Sequence, residues 1–308
     1  MEKFVKEAIL EHLLTNDLLS TKQHGFVNGR STVTQLLIYL DECIEKICNG
    51  GVVDAIYLDF SKAFDTVPHR RLMSKLESYG ITGNIKRWIQ SFLTGRTQTV
   101  MVNNDESAAA PVISGIPQGS VLGPLLFVIY INDLPETVNS NVYLFADDTK
   151  IMRKVDNEED AKALQSDLNI LEAWSKRWLL QFNSDKCHVL TIGKFEHIRH
   201  TERYQLYGNE LDHVFEEKDL GVYIDSELKF DEHISNKVNK ANAMVGLIRR
   251  SFSYLDGELF KKLYTCFVRP HLEYAQAIWQ PHLVKQKRMI ENVQIRATKL
   301  VDGFHDLT

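Results

Sequence analysis

Val142-Tyr-Leu-Phe-Ala-Asp-Asp-Thr-Lys-Ile151 decides how the chain is read. Val142 to Phe145 form an apolar run short enough for a buried strand, and Thr149 onward resumes a strand-like pattern. A tight hairpin through Ala146-Asp147-Asp148 would set two carboxylates at its tip. Two such charges about 4 Å apart repel by roughly 4 kcal/mol at an effective dielectric of about 20, so an intervening cation is favoured. Aspartate is also common in turns, and a solvated Asp-Asp turn accounts for this stretch taken alone. The rest of the chain separates the two readings.

The 308 residues suffice for a sizeable core, and the length suggests two lobes. A hydrophobic fraction of 44% with 25% charged residues is that of a soluble globular protein. Cys43, Cys48, Cys187 and Cys266 form no Cys-x-x-Cys pair and no Cys/His zinc spacing. They suit a reducing compartment as free thiols, most of them buried, which argues against metal binding through sulfur. Met1–Leu19 carries charges throughout and reads as an amphipathic helix rather than a secretory signal. The longest apolar run, Val121–Ile131, contains Gly123 and Pro124 and is too short to span a bilayer. The expectation is a soluble intracellular protein with no membrane partner. Net charge is −5, which at first argues against a nucleic-acid partner. It is unevenly placed: residues 240–308 carry +5 and the preceding part −10. An acidic body with a basic tail region fits a metal-holding centre beside a lobe that grips a polyanion.

Helical periodicity covers Glu2–Leu14, the stretch capped by Ser31 or Thr32 that runs through Ile44 and ends at Asn49-Gly50-Gly51, and Asp160–Trp178. Pro68 opens a helix at His69–Tyr79, Ile85–Leu93 forms another, and Pro124 opens one at Gly123–Asn132. Val52–Phe60, Cys187–Ile192 and Leu220–Ile224 read as strands, and Thr97–Val102 as a strand paired with Pro111–Ser114. From His233 the pattern is almost wholly helical. The fold class is therefore α+β, with a helical appendage after about residue 230.

Val52–Phe60 is an apolar strand that ends in an acid, Asp59. Such a carboxylate needs solvent, a base or a metal, although strand-end aspartates also cap turns. Asp59 and Asp147 lie 88 positions apart, which suits neighbouring strands of one sheet with helices behind. Carboxylates converging from two strands can bridge two Mg²⁺ ions about 4 Å apart, one activating an attacking hydroxyl and the other stabilising leaving pyrophosphate. Between the two acids lies Gly115-Ile-Pro-Gln-Gly-Ser-Val-Leu-Gly-Pro124. Its glycines and prolines fix the backbone and admit another chain closely, and Gln118 on that turn can hydrogen-bond a base, sugar or template without bringing charge. The plain alternative is a structural loop leading into a core helix.

Asp59-Phe-Ser-Lys-Ala-Phe-Asp65, Gly115-Ile-Pro-Gln-Gly-Ser120 and Phe145-Ala-Asp-Asp148 occur in the order of reverse-transcriptase motifs A, B and C. Gly25-Phe-Val-Asn-Gly-Arg-Ser-Thr32 resembles the block before motif A in non-LTR (LINE-type) retrotransposons. Phe182-Asn-Ser-Asp-Lys186 resembles motif D, and Leu220-Gly-Val-Tyr-Ile-Asp225 resembles motif E. The wording is most similar to the jockey and CR1 branch and covers nearly the whole chain. This resemblance implies a right-hand polymerase fold, with partial fingers over 1–51, a palm over 52–229 and a mostly helical thumb over 230–308.

It further implies that Asp59, Asp147 and Asp148 are the catalytic, metal-holding carboxylates. Their cofactor would be two Mg²⁺ ions, with Mn²⁺ as an alternative. Asp148 would be a lesser ligand or a supporting group. Phe64, five residues after Asp59, falls at the steric-gate position that selects dNTPs, and the Phe60–Phe64 backbone, Ser61 included, would cradle the triphosphate. Gln118 would contact the nucleotide or template, and Lys186 would donate a proton to pyrophosphate. Arg30 would meet template phosphates, and Arg249, Arg250, Lys261 and Lys262 would track a template–primer duplex. The partners implied are an RNA template, a DNA primer, dNTPs and a larger retrotransposon polyprotein with an endonuclease domain, acting in cytoplasm and nucleus. The earlier fingers block and the usual C-terminal region are not in the sequence, so the chain reads as an internal fragment or truncated copy of such an element. The rival readings are a non-catalytic nucleic-acid-binding module and an unrelated metal-dependent phosphohydrolase.

Overall fold

The computed structural model describes residues 1–193, 203–301 and 304. The chain divides into two compact units, Met1–Val214 and Phe215–Thr308.

In the first unit, apolar spacing sets the helices. α1 (Glu2–Thr15) buries Val5, Ile9 and Leu13 along one face. α2 (Thr32–Cys48) opens on a capping box: Ser31 Oγ accepts from the Thr34 amide, and Thr34 Oγ1 accepts from the Ser31 amide. β1 (Val53–Leu58) is buried along almost its whole length, as suits a central strand. Three helices follow: α3 (Ala63–Thr66), α4 (His69–Ser78, entered from Pro68) and α5 (Gly83–Leu93).

The expected strand at Thr97–Val102 is instead broken into β2 (Thr97–Gln98) and β3 (Met101–Val102). Its partners are β4 (Asp105–Glu106) and β5 (Ala110–Pro111), with β3 on β4 and β2 on β5. The break falls at Thr99-Val100, and Asn103-Asn104, with φ values of 50° and 71°, make the tight hairpin that pairs β3 with β4. α6 (Gly123–Ile131) is apolar all round and correspondingly buried on all sides.

β6 (Asn141–Phe145) and β7 (Asp148–Lys154) form the expected hairpin. α7 (Glu158–Trp178) is capped by Asn157 Oδ1, which accepts from Glu159 and Asp160, and it has acids in its first turn and bases in its last. The unit closes with β8 (His188–Ile192), β9 (Gln205–Leu206), β10 (Asn209–Glu210) and β11 (Asp212–Val214).

The main sheet has the order β11-β8-β1-β7-β6, antiparallel except for β8 with β11. The pleat sorts its two faces. Ile56, Leu58, Val142, Leu144, Ile151 and Val189 join the core made with α1, α4, α5, α6 and α7. The opposite face meets α2, where the Tyr39 and Tyr143 rings stand 5.2 Å apart and Cys43 Sγ lies 3.1 Å from Met152 Sδ.

In the second unit, β12 (Glu216–Asp219) and β13 (Val222–Asp225) pair through Leu220-Gly221, whose φ values are 45° and 86°. The strand expected from Leu220 therefore begins at Val222, because its first two residues are the turn. This hairpin belongs to the helical unit, so the compact units divide earlier than the 229/230 boundary read from the sequence. α8 (Asp231–Ser251), α9 (Gly257–Leu263), α10 (Arg269–Glu273), α11 (Gln276–Trp279) and α12 (Val284–Thr298) follow. α8 and α12 pack on each other, and Gln286 Nε2 donates to Asp231 Oδ1 across them at 2.6 Å.

Among the described residues no helix is long and apolar enough to cross a membrane. All four cysteines are free, with Cys43 and Cys187 buried but Cys48 and Cys266 exposed, so half rather than most are sheltered.

Candidate active site

Asp59 is the first residue beyond β1, and the segment after it is pinned. The Asn183 amide donates to the Asp59 carbonyl at 2.7 Å, the Ser61 amide donates to the Gln181 carbonyl at 2.8 Å, and the Phe60 ring stacks on Phe182 at 4.4 Å. On the neighbouring strand, Phe145 pairs with Asp148, which leaves Ala146 and Asp147 as a two-residue turn. Asp147 therefore sits at the hairpin tip, and Asp148 opens β7 as an exposed residue. β7 runs antiparallel to β1 with Leu58 opposite Thr149, so the strand end bearing Asp59 and the tip bearing Asp147 lie side by side.

Their closeness shows in acidity. Burial raises the Asp147 pKa and the Asp59 charge raises it further, against an opposing hydrogen bond from its own backbone. Lys186, at the end of the short turn Ser184–Lys186, brings its ammonium 3.1 Å from Asp59 Oδ2. That oxygen is enclosed, and its partner is this ion pair rather than a hydrogen bond. Among the described residues no three His, Cys, Asp or Glu side chains already form a cluster able to hold a metal ion. What the fold brings together is the Asp59–Asp147 pair with Lys186 beside it, and Asp148 follows in sequence.

A second group stands on motif-like turns. The Phe64 ring is stacked on Phe127 at 4.5 Å, and it lines a cavity of about 280 Å³ with Pro117, Gln118, Gly119, Gly123 and Pro124. Gln118 Nε2 donates to Asp65 Oδ1 at 3.0 Å. The two turns are laced together by the Gly115 amide donating to the Val67 carbonyl at 2.8 Å and the Ile116 amide donating to the Phe64 carbonyl at 2.7 Å. Gly115, at φ +90°, has no room for a side chain: a Cβ there would stand 2.7 Å from the Asp65 carbonyl oxygen. A wider cleft of about 500 Å³ adjoins this lacing, with Lys62 and Arg96 among its walls.

Arg30 is held locally, its Nη1 donating to the carbonyls of Thr21 at 2.7 Å and Gln23 at 2.5 Å. Arg249, Arg250, Lys261 and Lys262 lie in the second unit, exposed on the last turn of α8 and on α9, with Lys262 paired to Glu258 at 2.8 Å. The sequence reading passed over Gln23 and Asp65, which hold the site from behind. Asp65 was signalled by its place in the motif that carries Asp59; Gln23 had no such signal.

The solved telomerase from Candida albicans, in complex with a fragment of telomeric RNA, resembles this chain with a TM-score of 0.54 at 11% identity, covering 99% of this chain and 56% of that one. Apo telomerase from Candida tropicalis gives 0.51 at 11% identity, covering 96% and 53%. The class is thus set by fold: this is a polymerase fold, with an acid-tipped hairpin beside its central strand. The chain belongs to the reverse transcriptase (RNA-dependent DNA polymerase) family, whose model matches residues 1–245. It is 29% identical over 324 residues to the RNA-directed DNA polymerase of the mobile element jockey from Drosophila funebris, covering 98% of this chain. It is 27% identical over 320 residues to the probable RNA-directed DNA polymerase of transposon BS from Drosophila melanogaster, covering 97% of this chain. The chain spans 34% of the length of each of these two curated relatives.

Proposed function

We propose that this chain carries the polymerase site of a non-LTR retrotransposon reverse transcriptase, which extends a DNA 3′ end on an RNA template with dNTPs. The observation that supports the reading is the meeting of Asp59 and Asp147 at adjoining strand ends, with the Lys186 ammonium 3.1 Å from Asp59 Oδ2. Reverse transcriptases as a family use divalent metal ions. Two mutually repelling carboxylates at adjoining strand ends, one of which already draws the Lys186 ammonium, fit such an ion. Asp59 and Asp147 would hold it, with Asp148 supporting from the start of β7. Divalent cations bound there, two Mg²⁺ or Mn²⁺ in their place, supply activation of the primer hydroxyl and stabilisation of charge on pyrophosphate.

The chain's own residues do the remaining work. They hold the primer 3′-hydroxyl in line with the α-phosphate, so that the new P–O bond forms as the bond to pyrophosphate breaks. The Lys186 ammonium is available to give a proton to the leaving pyrophosphate. Phe64, backed by Phe127, closes the space a 2′-hydroxyl would need. Gln118 is steadied by Asp65 for a neutral contact to nucleotide or template, and the Phe60–Ser61 backbone faces the triphosphate. Arg249, Arg250, Lys261 and Lys262 are the cations offered to the RNA–DNA duplex, and Arg30 is offered to template phosphates through the donors its carbonyl contacts leave over. The longer protein to which such a chain belongs would add an endonuclease.

Primer extension on poly(rA)/oligo(dT) with Mg²⁺ tests the reading. Incorporation is expected, and Asp147→Asn should lower it by about 10³-fold or more while RNA affinity and melting temperature hold. RNA binding without any incorporation by the natural chain would instead mark a binding module.

A further inference from the structure

Behind the acid-tipped hairpin, the segment Lys22–His24 adds a short parallel bridge to the edge strand β6. The His24 amide donates to the Leu144 carbonyl at 2.9 Å, and the Leu144 amide donates to the Lys22 carbonyl at 3.2 Å. This puts the Gln23 side chain, 1% exposed, directly against the turn. Its Oε1 accepts from the Ala146 amide at 2.9 Å and from the Gly25 amide at 2.6 Å, while its Nε2 reaches the Ala146 carbonyl at 3.4 Å. Two amide donors converge on one atom, so that atom must be the oxygen and the orientation of the side chain is forced.

The need for such a partner follows from the turn. Ala146 is 5% exposed and holds φ +55°, a left-handed conformation that a residue with a Cβ adopts reluctantly. In a two-residue turn its amide and carbonyl have no ladder partner, and burial removes water as a substitute. Gln23 supplies an acceptor and a donor in place of a neighbouring strand. Gly25 completes the fit, because a Cβ there would stand 2.2 Å from the Ala146 nitrogen. Among the described residues, Gln23 is the side chain hydrogen-bonded to the backbone of the residue immediately before Asp147.

We infer that Gln23 is a positioning residue for Asp147: it fixes the backbone turn from which that carboxylate projects. The inference rests on the reading of Asp147 as a metal-holding residue. Partners that orient a metal ligand cost about 10- to 100-fold in metal affinity when removed. Two readouts on the full chain test it: Mn²⁺ affinity by electron paramagnetic resonance, and hydrogen exchange of the peptide spanning Ala146. Gln23→Leu keeps the volume but none of the three hydrogen bonds. It is expected to bind Mn²⁺ about tenfold more weakly and to exchange faster at the hairpin, with RNA affinity unchanged. Gln23→Glu keeps an acceptor for both amides and should stay within about threefold of the natural chain in affinity, with the hairpin still protected. A folded Gln23→Leu with natural Mn²⁺ affinity overturns the inference, as does one with natural exchange at Ala146. If Gln23→Leu does not fold, Gln23→Glu decides: retention in both readouts supports the inference, and loss overturns it. Asp147→Asn in parallel separates the two levels. If it leaves Mn²⁺ binding intact, the metal-holding reading fails and takes the inference with it; if it abolishes binding while Gln23→Leu does not weaken it, only the role of Gln23 fails.

Discussion

Phe64 stacks on a core ring and also lines a cavity, the placement that the proposed sugar gate requires. In the proposed role, its stacking on Phe127 at an interplanar angle of 23° would keep the ring from swinging aside for a larger sugar. Phe64→Val removes the wall and leaves the backbone in place. Incorporation of UTP relative to TTP on poly(rA)/oligo(dT) is therefore expected to rise about tenfold or more, a size typical of one steric contact in a substrate pocket. An unchanged ratio would return Phe64 to the core. Its position was legible because five residues from Asp59 is a motif spacing, whereas the Phe127 backing was not, since that contact joins segments far apart in the chain. Gln23 was illegible for a different reason. Its importance lies in the unsatisfied backbone of Ala146, and nothing in the local sequence at position 23 records a demand made by residue 146.

Elements were legible where one physical rule governed them. α1, α2, α4 and α7 carry apolar residues at helical spacing, and their observed ends fall close to the expected ones. The ribbon between β2 and β5 was misread because alternation over six residues looked like one strand, while Asn103-Asn104 imposed a turn inside its pairing partner's reach. α4 holds a subtler case. Lys75 lies one residue before Leu76 and three after Leu72, so helical spacing puts it on the buried face, yet a lysine reads as solvent-facing. Its ammonium lies 3.9 Å from the Trp178 ring centre, 5.2 Å from Trp174 and 5.5 Å from Tyr130, and it is paired with Asp133. Burial pushes the Lys75 pKa down to about 8 against the pull of Asp133. In the unfolded chain lysine titrates near about 10.4, so between those values the unfolded state binds more protons. Stability therefore rises with pH through that window, and below pH 8 the cost of the buried charge is borne in full. Set against Lys75→Met, which does not titrate, the natural chain should gain roughly 2 kcal/mol between pH 8 and pH 10. Thermal melts of the two proteins across that range should diverge; a constant offset would mean that Lys75 stays charged throughout.

At the scale of the whole molecule, charge is the property the sequence stated most openly and the fold then distributes. The positive excess of residues 240–308 falls within the second unit, on exposed positions of α8, α9 and α12. Lys262 is tied to Glu258, but an exposed pair of this kind is worth less than about 1 kcal/mol and yields readily to a phosphate. Arg249, Arg250 and Lys261 are exposed as well. If these four cations meet nucleic-acid phosphates, each one releases condensed counterions on binding, and the number of phosphates neutralised is written in the salt dependence rather than in the affinity itself. The variant with Arg249→Gln, Arg250→Gln, Lys261→Gln and Lys262→Gln is therefore expected to flatten the plot of log affinity against log salt for single-stranded RNA. The slope should fall by about 0.7 for each phosphate that is no longer neutralised, and so by at most about 3 for the set. Because glutamine keeps much of each stem and the helical positions, melting temperature should hold while the slope changes. Fluorescence anisotropy of a labelled RNA between about 50 and 200 mM salt measures it, a range over which neutralising several phosphates changes affinity by orders of magnitude. An unaltered slope with weaker binding would mean that these side chains act by packing, and the polyanion would then have to be gripped by the cations of the first unit, Lys62 and Arg96 of the 500 Å³ cleft foremost.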